Sequence, residues 1–246
     1  MTGMHPLNSL GPIESAVLNR VLSLKGAGSK TAILDAPCGK GLLAAALRQR
    51  EFRVFGVDIE PDARNLLDGS FEIADLNCRL PFEDESFDLV TSVEGIEHLE
   101  NPHGFLREIN RVLKPDGWVI LTTPNIVSLR SRVRFLGSGF FHRDSRPLNE
   151  SSRHVLHHIG LRPFPQLRYD LNTSGFRLNE VSATHIKPVS YAYGIFVPWM
   201  FLYTRIAFRK EKDKSQRERN REILRTLYSA PLLFGENLLL VARKVS

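Results

Sequence analysis

Between Thr31 and Asn125 short apolar runs alternate with stretches of helical period. The runs Ala32–Asp35, Val54–Asp58, Phe71–Ala74, Phe87–Val93 and Trp118–Thr123 are almost wholly apolar, as strands covered on both faces must be. Helical spacing separates them near Gly41–Arg50, Asp62–Leu67 and Gly104–Leu113. This alternation predicts βαβ units and a parallel sheet. Upstream, Ile13, Val17, Leu18, Val21 and Leu22 recur at helical spacing within Pro12–Leu24, which predicts a helix laid against the sheet. Downstream the period fades: Ser128–Arg168 is rich in Arg, His, Pro and Gly and reads as a loop region able to cover a site. Pattern returns with a helix near Pro165–Thr173, a strand near Phe176–His185 and a last apolar strand at Leu238–Val241. The expected class is α/β, with seven strands in a mostly parallel sheet, helices on both faces and a helical insertion before the last strand.

A chain of 246 residues suits one such domain and is short for two. Within it, 31–125 reads as the core around a bound nucleotide, 126–175 as acceptor-side loops and helix, and 187–235 as the insertion. Hydrophobic residues at 42% and charged residues at 24% argue against a disordered chain and against a multi-span membrane protein. The formal charge of +6 points to an anionic partner: a phosphorylated substrate, a membrane surface or a nucleic acid. Cys38 and Cys78 are too few for a disulfide scaffold, so a reducing compartment is expected. Met1 to Gly11 lacks the basic and apolar regions of a secretory signal, which makes the cytoplasm the expected address.

Chemistry enters at Ile33 to Ala44 (ILDAPCGKGLLA) and Val54 to Pro61 (VFGVDIEP). A buried strand ends in Asp35, a turn containing Gly39 and Gly41 exposes bare backbone, and a helix begins at once. The next strand ends in Asp58, a carboxylate able to accept both hydroxyls of a ribose. Gly39 to Ala44 also matches the loose G-x-G-x-x-A dinucleotide pattern. In a dinucleotide site the first glycine usually follows the strand directly and the helix faces a pyrophosphate. Here a carboxylate crowns the strand instead, which suits a cationic amino group and repels a pyrophosphate.

With these segments the chain resembles the class I S-adenosylmethionine-dependent methyltransferases of the ubiquinone-biosynthesis-like, methyltransferase type 11 group. The resemblance covers Thr31 to Asn125 and rests on weak motifs in the right order: LDAPCGKG from Leu34, GVDI from Gly56, ADL from Ala74, LPFEDESFDLV from Leu80, EGIEHLENP from Glu94 and LKPDGW from Leu113. It implies a Rossmann-like fold and S-adenosyl-L-methionine as cofactor, with S-adenosyl-L-homocysteine as product. It places Asp35, Gly39 and Gly41 around the methionine portion, Asp58 and Ile59 at the ribose and adenine, Asp75 and Leu76 at the adenine edge, and Glu94 along the floor. Pro37 stands where the family usually has glycine. Proline fixes φ and has no N–H, so this turn is expected to adopt a different local conformation.

Methyl transfer gains much of its rate from alignment. A hydroxyl acceptor also benefits from a general base, usually histidine near neutral pH. His98, just after the fourth strand, and His158, before the helix leading to Phe176, are the catalytic candidates, each with a plain packing or capping role as the alternative. His157 is an alternative to its neighbour and a candidate for contact with the acceptor. Arg130 and Arg134, with Arg132 beside them, form a possible cationic wall for a phosphate-bearing lipid or nucleotide sugar, or a solvated helix face. The run resembles methyltransferases of polysaccharide and glycolipid synthesis. No metal group is expected.

Val189 to Thr204 is uncharged and rich in aromatics, and Arg205 to Arg225 is predominantly basic. Pro198 interrupts the first part, whose length is marginal for the roughly 20 residues of a spanning helix. Residues 189–225 therefore read either as an element entering one leaflet of an anionic membrane or as a protein-covered lid or dimer contact. The leading expectation is methyl transfer to an O or N atom of a small-molecule or lipid-linked acceptor. Two alternatives stand beside it. One is RNA methylation, favoured by charge but lacking an Asn/Asp-Pro-Pro-Tyr-type motif, since Ser92-Val93-Glu94-Gly95 occupies that place. The other is a membrane adaptor that keeps the fold without catalysis.

Overall fold

In the computed structural model, residues 10–24, 26, 28–67, 69–144, 146–152 and 154–245 are described. Seven strands form one sheet: β1 (Ala32–Asp35), β2 (Arg53–Asp58), β3 (Phe71–Ile73), β4 (Phe87–Val93), β5 (Leu113–Pro124), β6 (Phe176–Ala183) and β7 (Asn237–Lys244), in spatial order β3-β2-β1-β4-β5-β7-β6. The first five are parallel, and β7 runs antiparallel to both β5 and β6. The chain builds outward from β1 to β3 and then crosses to β4 on the other side of β1. That reversal opens a crevice at the carboxyl ends of β1 and β4, where open α/β sheets bind ligands.

Neighbouring residues of each strand serve opposite faces. Ile33, Leu89, Ile120, Leu239 and Val241 join one buried cluster with α1 (Pro12–Leu22) and α2 (Leu42–Arg48). Leu34, Val90, Leu121, Leu240 and Ala242 join the other with α4 (Pro102–Val112) and α6 (Phe164–Thr173). Burial on both sides is why these strands read as unbroken apolar runs. The short α3 (Arg64–Leu67) closes the crossover from β2 to β3.

The observed elements depart from the sequence expectation in three places. β5 begins at Leu113 rather than Trp118: Leu113 pairs with Phe87 and Trp118 with Leu89, and the polar residues between them form a bulge with Asp116 at φ +63°. The region expected to be loop from Ser128 holds α5 (Leu129–Ser138). Ser128 caps it by accepting the Ser131 N–H at 3.3 Å, and Gly139 ends it in the left-handed region. Because α5 buries only Leu129 and Ser131, its apolar residues make no clean stripe to read. The last strand extends to both sides of the expected Leu238–Val241. The expected insertion is helical: a 3-10 segment (Pro188–Phe196), α7 (Val197–Phe208), α8 (Lys214–Leu227) and α9 (Ala230–Phe234).

Candidate active site

β1 delivers Asp35 to the crevice, and the Ala36–Pro37 peptide bond after it is cis. Gly39 (φ +52°) and Gly41 (φ +74°) complete the turn, and Gly41 opens α2. A Cβ on Gly41 would press on Ala63 at 3.1 Å, whereas one on Gly39 would meet nothing within 4 Å. Gly39 thus leaves open space beside bare backbone, the feature a bound nucleoside needs. The Asp58 carboxylate is already oriented: Gly39 N–H donates to one oxygen at 2.7 Å and Glu60 N–H to the other at 3.1 Å. Gly95 supports the turn from β4, since a Cβ there would lie 2.2 Å from Pro37.

Asp35 is 1% exposed and accepts a hydrogen bond from the Thr91 hydroxyl at 2.8 Å. Burial pushes its pKa up to about 7 against the pull of the Thr91 bond, and the charges of Asp58 and Glu14 add to the rise. A buried carboxyl lacking a cationic partner suits an ammonium group arriving with a ligand. Asp35 and Asp58 thus crown the ends of the neighbouring strands β1 and β2. Ile59 is exposed beside Asp58. Asp75 follows β3, and one of its oxygens accepts from the Asn77 N–H at 2.8 Å and side-chain amide at 2.9 Å. The Leu76 side chain is buried in the core, so only its backbone can meet an adenine edge.

A second cluster forms three residues beyond Thr91 on the same strand path. Glu94 adopts φ +48°, and its N–H donates to Thr122 Oγ1 at 3.1 Å. Its carboxylate accepts from Asn237 Nδ2, and Arg143 lies 3.7 Å away. Burial raises its pKa, with Asn237 and Arg143 opposing. Glu94 thus joins β4 to Asn237 at the start of β7 and to Arg143. Glu97 is fully buried and accepts from the Thr123 hydroxyl at 3.0 Å, while its other oxygen has no partner. Burial, then the nearby Glu94, pushes its pKa up to about 8, so it is largely a neutral acid at pH 7 and can donate a hydrogen bond.

Two histidines meet this acid. His98 Nδ1 lies 3.2 Å from the His157 carbonyl, which can only accept, so the proton sits on Nδ1 and Nε2 carries a free lone pair. Burial holds His98 below the usual imidazole range and so keeps it neutral. His158 Nδ1 lies 3.0 Å from Asp144 Oδ1, and the two imidazole rings are 4.8 Å apart. Ligand atoms of Glu97, His98 and His158 all fall within 4.8 Å of one another, a grouping able to hold a metal ion where the sequence led us to expect none.

Other candidates lie elsewhere. Arg130 pairs with buried Glu236 at 3.1 Å, a carboxylate shared with Lys187 (3.2 Å) and His142 (3.5 Å), so it clamps structure instead of lining a pocket. Arg134 is on the exposed side of α5 because the helix turns it outward. Arg132 is turned inward, its Nε donating to the Val127 carbonyl at 2.6 Å. His157 contributes its carbonyl, and its ring leans on His154 at 5.8 Å. The arginine that reaches the cluster is Arg143. Sequence reading missed it, along with Glu97, Asp144 and Asn237. Only Glu97 carried a local signal, its place beside His98 in a single turn after β4.

Residues 34–121 match the family model described as "Methyltransferase domain". The ubiquinone biosynthesis O-methyltransferase of Chromobacterium violaceum is 27% identical over 205 residues, covering 73% of this chain and 84% of the relative. That of Acinetobacter baylyi is 25% identical over 199 residues, covering 77% and 80%. Among solved structures, a SAM-dependent methyltransferase from Archaeoglobus fulgidus superposes with a TM-score of 0.56 at 18% identity, over 94% of this chain and 93% of that one, a likeness of fold. With the acid-crowned strands, the open Gly39 turn and the family match over 34–121, this chain is a class I S-adenosylmethionine-dependent methyltransferase.

Proposed function

We propose that the chain methylates a hydroxyl of a small-molecule or lipid-linked acceptor, an amine being the other acceptor of the same chemistry. The observation that carries this reading is the Asp144–His158 pair set against His98 and the neutral Glu97, beside the crevice that Asp35 and Asp58 crown. Asp35 would hold the amino group of S-adenosylmethionine and Asp58 its ribose hydroxyls. When bound, that cofactor supplies an electrophilic methyl group on a positively charged sulfur.

Everything else falls to the chain's own side chains. With Nδ1 donating to Asp144, His158 presents a basic Nε2, and that nitrogen takes the acceptor's hydroxyl proton as the oxygen becomes a nucleophile. Asp144 positions the ring and stabilises the imidazolium, the role of the third member of a catalytic triad. Glu97, as a neutral acid, adds no negative charge beside the two imidazoles. Arg143, 3.7 Å from Glu94, balances its charge and would meet an anionic part of the acceptor placed there.

The test uses S-adenosylmethionine with a panel of phenols, glycans and extracted lipids, and detects products by the added mass of a methyl group. His158→Gln is expected to lower kcat by roughly 10²-fold or more, with S-adenosylhomocysteine affinity unchanged. Asp144→Asn should show a smaller loss in kcat at constant KM. Full activity in His158→Gln would remove the base, and the absence of any methylated hydroxyl or amine across the panel would remove the acceptor class.

A further inference from the structure

The insertion between β6 and β7 leaves an apolar face that no described residue covers. Not one of α7's twelve residues is buried. Its inner side has partners: Met200 Sδ lies 3.9 Å from Arg132, Phe201 meets Tyr228 edge-on at 5.0 Å, and the Thr204 hydroxyl is 2.9 Å from that of Tyr228. Its outer side carries Trp199 (75% exposed), Leu202, Tyr203 (71%) and Ile206, with Ile195 (79%) one turn earlier. Positions 195, 199, 202 and 206 are spaced so as to share one side of a helix. Leu136 is a further exposed apolar side chain, 88% exposed on α5, a helix that packs on the 3-10 segment.

The charge sits beside it. Residues 205–225 hold nine Lys or Arg against four Asp or Glu, a surplus of five in a chain whose formal charge is +6. All nine cations are exposed. An apolar, aromatic stripe bordered by cations complements an anionic lipid surface, in which the rings sit at the headgroup level and the cations meet phosphates. A twofold contact through this face would bring two basic α8 helices towards each other. No described helix is long and apolar enough to cross a membrane, so the contact is with one leaflet.

We infer that the Ile195–Ile206 stripe and the basic α8 dock the chain on an anionic lipid bilayer, a step that rests on the lipid-linked side of the proposed acceptor class. Topology places the dock at the mouth of the site. β6 runs antiparallel to β7, and β7 antiparallel to β5, so the insertion leaves β6 at the carboxyl edge of the parallel strands. There Lys187 binds Glu236, and the next residue, Asn237, donates to Glu94. The insertion that carries the stripe thus starts at the edge of the sheet where the Glu94 cluster lies.

The chain has two tryptophans, and Trp118 lies at the far end of β5 under Arg243. In a Trp118→Phe background Trp199 is the sole reporter. Phosphatidylcholine vesicles containing phosphatidylglycerol should shift its emission to the blue, and brominated acyl chains should quench it. Added salt should weaken the effect, and pure phosphatidylcholine should give little. Ile195→Ser with Trp199→Ser should reduce co-sedimentation with the anionic vesicles about tenfold or more, at an unchanged melting temperature and S-adenosylhomocysteine affinity. Vesicle binding that is absent, indifferent to lipid charge or retained by the double variant would overturn the inference. So would a doubled mass by light scattering with Trp199 already blue-shifted, which marks a second copy, or RNA binding that displaces the vesicles. Because no acceptor is present, failure here leaves the methyl-transfer reading standing, and loss of catalysis in His158→Gln leaves this one standing.

Discussion

Asp58→Ala is expected to weaken S-adenosylhomocysteine binding by roughly 100-fold, about 2.7 kcal/mol, measured by titration calorimetry. Two effects combine. The vicinal hydroxyls of a ribose lose a charged acceptor, and hydrogen bonds to charged groups contribute about 1.5–3 kcal/mol each. The Gly39 and Glu60 N–H groups also lose the oxygens that now hold the turn in shape. Asp58→Asn separates the two effects, because its single carbonyl oxygen can still receive Gly39 while the charge is gone. An intermediate affinity is expected for it. If both variants bind like the parent, the end of β2 does not hold the ribose, and the cofactor lies elsewhere.

Asp35→Asn should move stability and binding in opposite directions. In the native chain Asp35 keeps its proton up to about pH 7, whereas an ordinary aspartate loses it near 3.8. Between those values the native state binds more protons than the unfolded one, so stability falls as pH rises from about 4 to about 7. Above that window the penalty is complete, on the order of 4 kcal/mol. The variant removes the penalty, so without ligand it should melt higher than the parent at pH 8 and equally at pH 4. It should also bind S-adenosylhomocysteine roughly 100-fold more weakly, since the ammonium loses its ionic partner. Glu97, pushed up to about 8 by burial, gives a slope of the same sign, which is why variant and parent are compared at each pH. A variant that melts lower than the parent at pH 8 would mean that the Asp35 charge already serves a partner within the protein. The expected behaviour is that of a site holding a destabilised charge in readiness for a cation.

The glycine turn and the two acids at the crevice were legible because these parts are close in sequence. Asp35, Gly39 and Gly41 lie within seven residues, and Asp58 ends the next strand. Each is tied to a local demand: an acid at a strand end, a positive φ, a helix start. The cluster around Glu94 and His98 gathers residues from distant segments. Glu94, Glu97 and His98 follow β4, Arg143, Asp144 and His158 come from the stretch between α5 and α6, and Asn237 opens β7. No period or spacing connects these segments, and the arginine run of α5 drew attention to Arg130 and Arg134 because charge density is visible in a sequence and orientation is not.

By itself the sequence determined the sheet and its cofactor turn. Apolar runs covered on both faces, glycine where φ is positive and carboxylates at strand ends are properties of neighbouring residues, and short-range sterics and burial enforce them wherever the chain goes. Tertiary structure alone decided which arginine meets Glu94, that Asp144 holds His158, that Glu97 is buried enough to keep its proton, and which side of α7 faces outward. Those outcomes depend on distances between segments brought together by packing, and on the dielectric that packing creates, neither of which is written in the order of the residues.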